Sequence, residues 1–151
     1  DVDPEKARET LKANMYHAAE ELGKVGVVAL VEAINTRDQP GFFINTTKQS
    51  LQAIDDADHP NLAVLYDFYH MQIMEGDVIR TIRDNHKYLY HYHTGGNPGR
   101  NEIDETQELN YAAIMRAILA TGYKGHVGQE FIPKRKDKLS SLEQGVRICD
   151  V

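Results

Sequence analysis

Four residues of chemical interest occupy matching places in the chain. Glu32 lies inside the apolar run VALVEAI, Asp67 closes LAVLYD, His93 closes YLYHYH, and Glu130 sits in HVGQEF. They are separated by 35, 26 and 37 residues, about one strand–helix unit each. A carboxylate within an apolar strand is costly unless it is paired or bound to a cation. Three carboxylates and one imidazole suit a divalent ion that prefers oxygen and keeps open positions, such as Mn²⁺, Mg²⁺ or Co²⁺. Zn²⁺ is compatible, but a thiolate site is not, because Cys149 is the only cysteine. Each residue also has a plainer reading. Asp67 could simply cap the turn that follows it, and His70 and His91 compete with His93. The joint pattern at four strand ends carries the metal reading.

Two further groups could meet a bound small molecule. His70 follows Asp67 by three residues in YDFYH. Arg100, in the glycine-rich loop HTGGNPGRNE, could grip a carboxylate or stabilise an oxyanion. Its plainer role is an ion pair with Glu102 or Asp104. The GGNPG stretch matches no phosphate-loop spacing. Lys134, Arg135, Lys136 and Lys138 read as a solvated basic segment, Cys149 as a small buried hydrophobe, and Met71 and Met74 as packing residues.

The elements that must position these residues alternate between helix and strand. Asp3-Pro4-Glu5 opens a helix with Ala7, Leu11, Met15, Ala18 and Leu22 at helical spacing and Gly23 at its stop. Val25 to Ile34 predicts a strand buried on both faces. Thr46 and Gln49 form a capping box for the next helix, and Leu62 to Tyr66, ending at Asp67, is a second strand. Asp77 caps a helix through Ile82. Tyr88 to His93 predicts a third strand, with Leu89, His91 and His93 on one face and Tyr88, Tyr90 and Tyr92 on the other. Asn110 caps a helix ending at Gly122, His126 to Phe131 is the fourth strand, and Ser140 with Glu143 caps a last helix. This order predicts an α/β fold with a parallel sheet, whose sites lie at the C-terminal strand ends.

Composition narrows the classes. The 151 residues are 41% hydrophobic and 26% charged, enough for one domain, residues 1–151, with a real core. The net charge of −6 disfavours nucleic-acid binding. No apolar run is long enough for a membrane span. The expected location is the cytoplasm.

The segments EAINTRDQPGFFI, LYDFYHMQIMEGD, NPGRNE…ELNY and GYKGHVGQEFIP resemble the hydroxypyruvate isomerases and, more broadly, the sugar isomerase/epimerase superfamily of xylose isomerase-like TIM barrels. The resemblance implies a (β/α)₈ barrel with a divalent metal in its mouth. It makes Glu32, Asp67, His93 and Glu130 the metal set, Glu32 and Glu130 the catalytic acid/base pair, and His70, Arg100 and Glu102 the substrate-binding residues. The implied reaction is isomerisation of hydroxypyruvate to tartronate semialdehyde through a cis-enediolate. His93 stands where hydroxypyruvate isomerases usually carry Gln and ketose epimerases carry His. Ala33 replaces a usual Pro, and Asn101 a usual His.

Alternatives follow from the same residues. A ketose 3-epimerase would use the same metal set. A nuclease of the endonuclease IV type would need more histidines and a basic face. A non-catalytic metal-binding half-barrel is a third reading. A full barrel needs about 250 residues, and the resemblance implies that this sequence corresponds to the last four βα units of one, as from a longer protein. Unpaired sheet edges predict self-association into a homo-oligomer.

Overall fold

A computed structural model describes residues 3–151. Asp3 caps the first helix, α1 (Pro4–Gly23), by accepting from Glu5 N at 3.0 Å. Strand β1 (Ala29–Glu32) leads to α2 (Thr47–Ala57), where Thr46 and Gln49 form the expected reciprocal capping box. Then follow β2 (Leu62–Asp67), α3 (Phe68–Met74), α4 (Val78–Asn85), a 3₁₀ turn (His86–Tyr88), β3 (Leu89–Thr94), α5 (Tyr111–Ala120), β4 (Val127–Gln129) and α6 (Lys138–Cys149). The four strands are parallel and ordered β1-β2-β3-β4, so sequence neighbours are sheet neighbours, as in a run of βα units from a TIM-type barrel. Among the described residues, no helix is long and apolar enough to cross a membrane.

Several boundaries differ from the sequence reading. The apolar run from Val25 begins outside the sheet, because the end of α1 unwinds through a turn in which Gly26 adopts φ +74° and Val27 N bonds back to Leu22 O. Val25, Val27 and Val28 stay exposed, and the strand is only four residues long. Strand β4 is likewise shorter than expected, with Ile132 N already turned to Arg100 O. The last helix begins earlier than the Ser140–Glu143 signal indicated. Asp137 is its cap, accepting from Ser140 N at 3.1 Å. Asp77 precedes α4 in a left-handed conformation and makes no side-chain cap bond. The seven-residue helix α3, capped by Asp67, has too few turns for the sequence pattern to predict it.

The faces of β3 also depart from strict alternation. Val64 pairs with Leu89, but the next residue, Leu65, pairs with His91. Tyr90 is therefore an extra residue, a bulge that resets the parity of the strand. Leu89 (1% exposed) joins Tyr92 (0%) on the helix-covered face, while Tyr90 (55%) is left outside. Tyr92 stacks on Phe68 with centroids 5.7 Å apart, and Phe68 meets Tyr66 and Tyr111 edge-on. This aromatic cluster fixes the helices to one face of the sheet. The opposite face is less covered. Leu30 remains substantially exposed there, and Leu65, His91 and His93 are only partly buried.

Candidate active site

Parallel strands in register place paired residues on the same face, and residues two apart on one strand share that face. Glu32 pairs with Leu65, Leu65 with His91, Asp67 with His93, and His93 with Gly128. Asp67 is two residues past Leu65, and Glu130 two past Gly128. All four expected residues therefore point from the less covered face at the C-terminal edge of the sheet. One ligand atom from each of Glu32, Asp67, His93 and Glu130 lies within 4.8 Å of all the others. Divalent-cation bonds to oxygen of about 2.0–2.6 Å put opposed ligands about 4–5 Å apart, so the donors already sit at the spacing one ion requires.

The electrostatics match this geometry. Burial first, then the charges of Asp67 and Glu130, push the Glu32 carboxyl up to about 7, against the opposing pull of Arg100. Glu32 Oε1 is buried without a hydrogen-bond partner, and so is His93 Nδ1. His93 Nδ1 lies 2.6 Å from Glu130 Oε2, yet the approach has the wrong direction for a hydrogen bond. Unpaired buried donor atoms converging on one point are what a cation would satisfy. The residues present thus fit a divalent ion with three carboxylates and one nitrogen.

Asp67 does two jobs with two oxygens. Its Oδ1 accepts from Tyr69 N (2.8 Å) and His70 N (3.2 Å), capping α3. Its Oδ2 accepts from Arg100 Nη2 at 2.8 Å. Arg100 Nη2 also reaches Glu130 Oε2 at 2.8 Å, and the guanidinium lies over the Tyr69 ring, 5.4 Å from its centroid. Arg100 is thus paired with site carboxylates and not with Glu102 or Asp104. Its loop is pinned by Tyr111, whose hydroxyl donates to Gly95 O (2.7 Å) and accepts from Gly95 N (2.9 Å). Gly95 is closely packed, since a Cβ there would lie 3.1 Å from Glu130 O and 3.2 Å from Arg100 Cγ.

His70 is buried beside the cluster, with Nε2 3.9 Å from Glu32 Oε1 and 4.0 Å from Asp67 Oδ2. Both distances are too long for hydrogen bonds. Burial lowers its pKa most, against the raising effect of Asp67. Its Nδ1 faces Asn35, which the sequence reading did not single out. Asn35 N is 3.3 Å away and Asn35 Nδ2 2.7 Å. Asp38 and Tyr69 complete this network, Tyr69 Oη donating to Asp38 Oδ2 at 2.6 Å. These residues lie in the loop after β1 and at the start of α3, where the run AINTRD gave no apolar period to flag them.

Glu102 stands outside the four-residue cluster. Its Oε1 accepts from Arg135 N (2.9 Å) and Ser141 Oγ (3.0 Å), joining the loop after β3 to the segment entering α6. Arg135, from the basic segment, pairs with Asp104 at 2.6 Å. Cys149 is half-buried, accepts from Gln129 Nε2, and has its thiol pKa raised by burial.

Residues 1–149 match the family described as xylose isomerase-like TIM barrel. The chain belongs to this family. Within the family it is similar to hydroxypyruvate isomerase of Escherichia coli, at 37% identity over 146 residues, 97% of this chain and 54% of that protein. It is also similar to 2-oxo-tetronate isomerase of Cupriavidus necator, at 36% identity over 134 residues, 89% of this chain and 51% of that protein. Among solved structures, an AP endonuclease, family 2, from Brucella melitensis superposes with a TM-score of 0.87 at 36% identity, covering 96% of this chain and 54% of that one. The chain spans about half the length of the curated relatives it matches.

Proposed function

We propose that this chain carries the metal-binding and proton-transferring part of an isomerase for small α-hydroxy carbonyl compounds, with hydroxypyruvate and its isomer tartronate semialdehyde as the substrate pair. The observation that carries the reading is the convergence of Glu32, Asp67, His93 and Glu130 on one face within 4.8 Å. Those four residues would hold Mn²⁺, Mg²⁺ or Co²⁺, and the ion, when bound, polarises the substrate's carbonyl and acidifies the neighbouring C–H.

The chain's own groups then supply the rest. One of the two glutamates takes the proton from the hydroxymethyl carbon, leaving a cis-enediolate. The other returns a proton to the former carbonyl carbon while the hydroxyl proton passes from one enediolate oxygen to the other, so that carbonyl and alcohol exchange places with no net redox change. In the metal-free site burial and the neighbouring carboxylates push the Glu32 carboxyl up to about 7, and the charge of a bound ion would favour the carboxylate that accepts the proton. Arg100 brings positive charge to the enediolate oxygens, and His70 lies within reach of the same region. Glu102 acts on the substrate only through the loop that it holds.

The experiment is deuterium incorporation into hydroxypyruvate in D₂O, followed by NMR with each metal in turn. Exchange at the hydroxymethyl carbon with appearance of the aldehyde supports the reading, and its absence with every metal overturns it. The second reading is a ketose 3-epimerase, favoured by the imidazole of His93 in the cluster. It gives exchange at C3 of free ketoses and none on hydroxypyruvate. Full metal occupancy without exchange on any substrate marks a non-catalytic metal-binding module.

A further inference from the structure

The polar network behind the cluster leaves no freedom in its hydrogen placement. Asn35 is fully buried just after β1. Its Oδ1 lies 2.8 Å from Asp38 N, a backbone N–H that can only donate. Oδ1 is therefore the acceptor, and the amide orientation is fixed. Nδ2 must then face Asp38 Oδ2 (3.1 Å) and His70 Nδ1 (2.7 Å). The backbone N–H of Asn35 points at the same Nδ1 from 3.3 Å. Two donors meet one ring nitrogen, so that nitrogen carries its lone pair and the ring proton sits on Nε2. Nε2 is the atom that faces Glu32 and Asp67.

We propose that Asn35 is a positioning residue that holds His70 as the Nε2–H tautomer, so that His70 offers the substrate one hydrogen-bond donor and no lone pair. This deepens the isomerase reading and rests on it for the substrate. His70 then binds a carbonyl or enediolate oxygen and cannot compete with the glutamates for the carbon-bound proton. Asp38 and Tyr69 act one step further back by locking the Asn35 amide, through the 3.1 Å and 2.6 Å contacts to Asp38 Oδ2.

The test is long-range ¹H–¹⁵N correlation NMR on the ¹⁵N-labelled chain, metal-free and with Mg²⁺, His70 being assigned by its loss in His70→Gln. The expected result is one neutral ring with a bare Nδ1 and a protonated Nε2. An Nδ1–H ring, or an average of both tautomers, overturns the proposal. The combined swap Asn35→Asp with Asp38→Asn keeps net charge, makes residue 35 an acceptor towards the ring and lets residue 38 donate. It should put a proton on Nδ1; a neutral Nδ1–H ring should lower kcat for exchange by about 10²–10³-fold, the usual cost of one lost oxyanion donor, with a smaller change in KM, whereas a ring protonated on both nitrogens keeps the Nε2 donor and should exchange near the parental rate. Asp38→Asn alone should leave the tautomer in place. A swap that moves the proton yet exchanges substrate hydrogen at the parental rate overturns the proposal. If the parent chain exchanges nothing, the isomerase reading fails, while the tautomer spectrum still decides what Asn35 does.

Discussion

His93 Nδ1 and Glu130 Oε2 lie 2.6 Å apart across β3 and β4, in an orientation that forms no hydrogen bond. Glu130 Oε2 takes its hydrogen bond from Arg100 Nη2 instead, which leaves His93 Nδ1 without a partner beside the ligand atoms of Glu32 and Asp67. The parallel register creates this approach, because His93 pairs with Gly128 and Glu130 follows two residues later.

Titrating the chain with Mn²⁺ by calorimetry should show one bound ion per chain. Glu130→Gln replaces a charged ligand by a neutral one and should weaken binding at least tenfold, on the order of 1.4 kcal/mol or more. Unchanged affinity in that variant would remove Glu130 from the metal set.

Glu32→Gln should separate stability from activity. Burial and the neighbouring Asp67 and Glu130 disfavour the Glu32 charge, so the variant should melt higher than the parent in EDTA at pH 8. The same change should cost about 10²–10⁴-fold in proton exchange. A lower melting temperature in EDTA would show that the carboxylate is not under electrostatic stress.

The two oxygens of Asp67 can be tested apart. Asp67→Asn keeps an oxygen for Tyr69 N and His70 N but loses the charge facing Arg100. Asp67→Ala loses both. Chemical denaturation should find the Ala variant less stable than the Asn variant by about 1 kcal/mol, the typical worth of an N-cap. Both should lose metal affinity. Equal stability of the two variants would mean that the cap contributes nothing.

Glu102 predicts an acid-sensitive tie. Burial alone would raise its pKa, but hydrogen bonds from Arg135 N and the Ser141 hydroxyl, among others, outweigh burial and leave it below the ordinary glutamate value of 4.5. The unfolded chain therefore binds the proton more readily. The contribution of Glu102 is present above that value and is lost as pH falls through the lower folded value. Glu102→Ala should cost about 1–3 kcal/mol near neutral pH, because it strands buried donors. Urea melts at pH 7 and pH 3.5 should show the difference between parent and variant shrinking in acid. A constant difference would rule out an ionised Glu102 as the source.

Much of this arrangement was legible in the sequence, for physical reasons. Carboxylates inside apolar strands stand out because burial makes them expensive, and their even spacing reported a repeated βα unit. The Thr46–Gln49 box was readable because both of its bonds are local. The hidden parts depended on distant or irregular structure. The valines after α1 look like a strand, yet the turn at Gly26 keeps the first of them outside the sheet. YLYHYH alternates perfectly by residue type and so concealed the Tyr90 bulge. Asn35 sits in AINTRD, which reads as an ordinary polar loop, and its importance comes from His70, 35 positions away.

The Tyr90 bulge carries a consequence for how such a chain tolerates length changes. Because Leu65 already pairs with His91 across the gap, excising that single tyrosine would restore an unbroken ladder and leave the inward rim histidines in phase. Indels at this one point are thus buffered from the chemistry, whereas the same one-residue deletion between His91 and His93 would invert the rim and dismantle it.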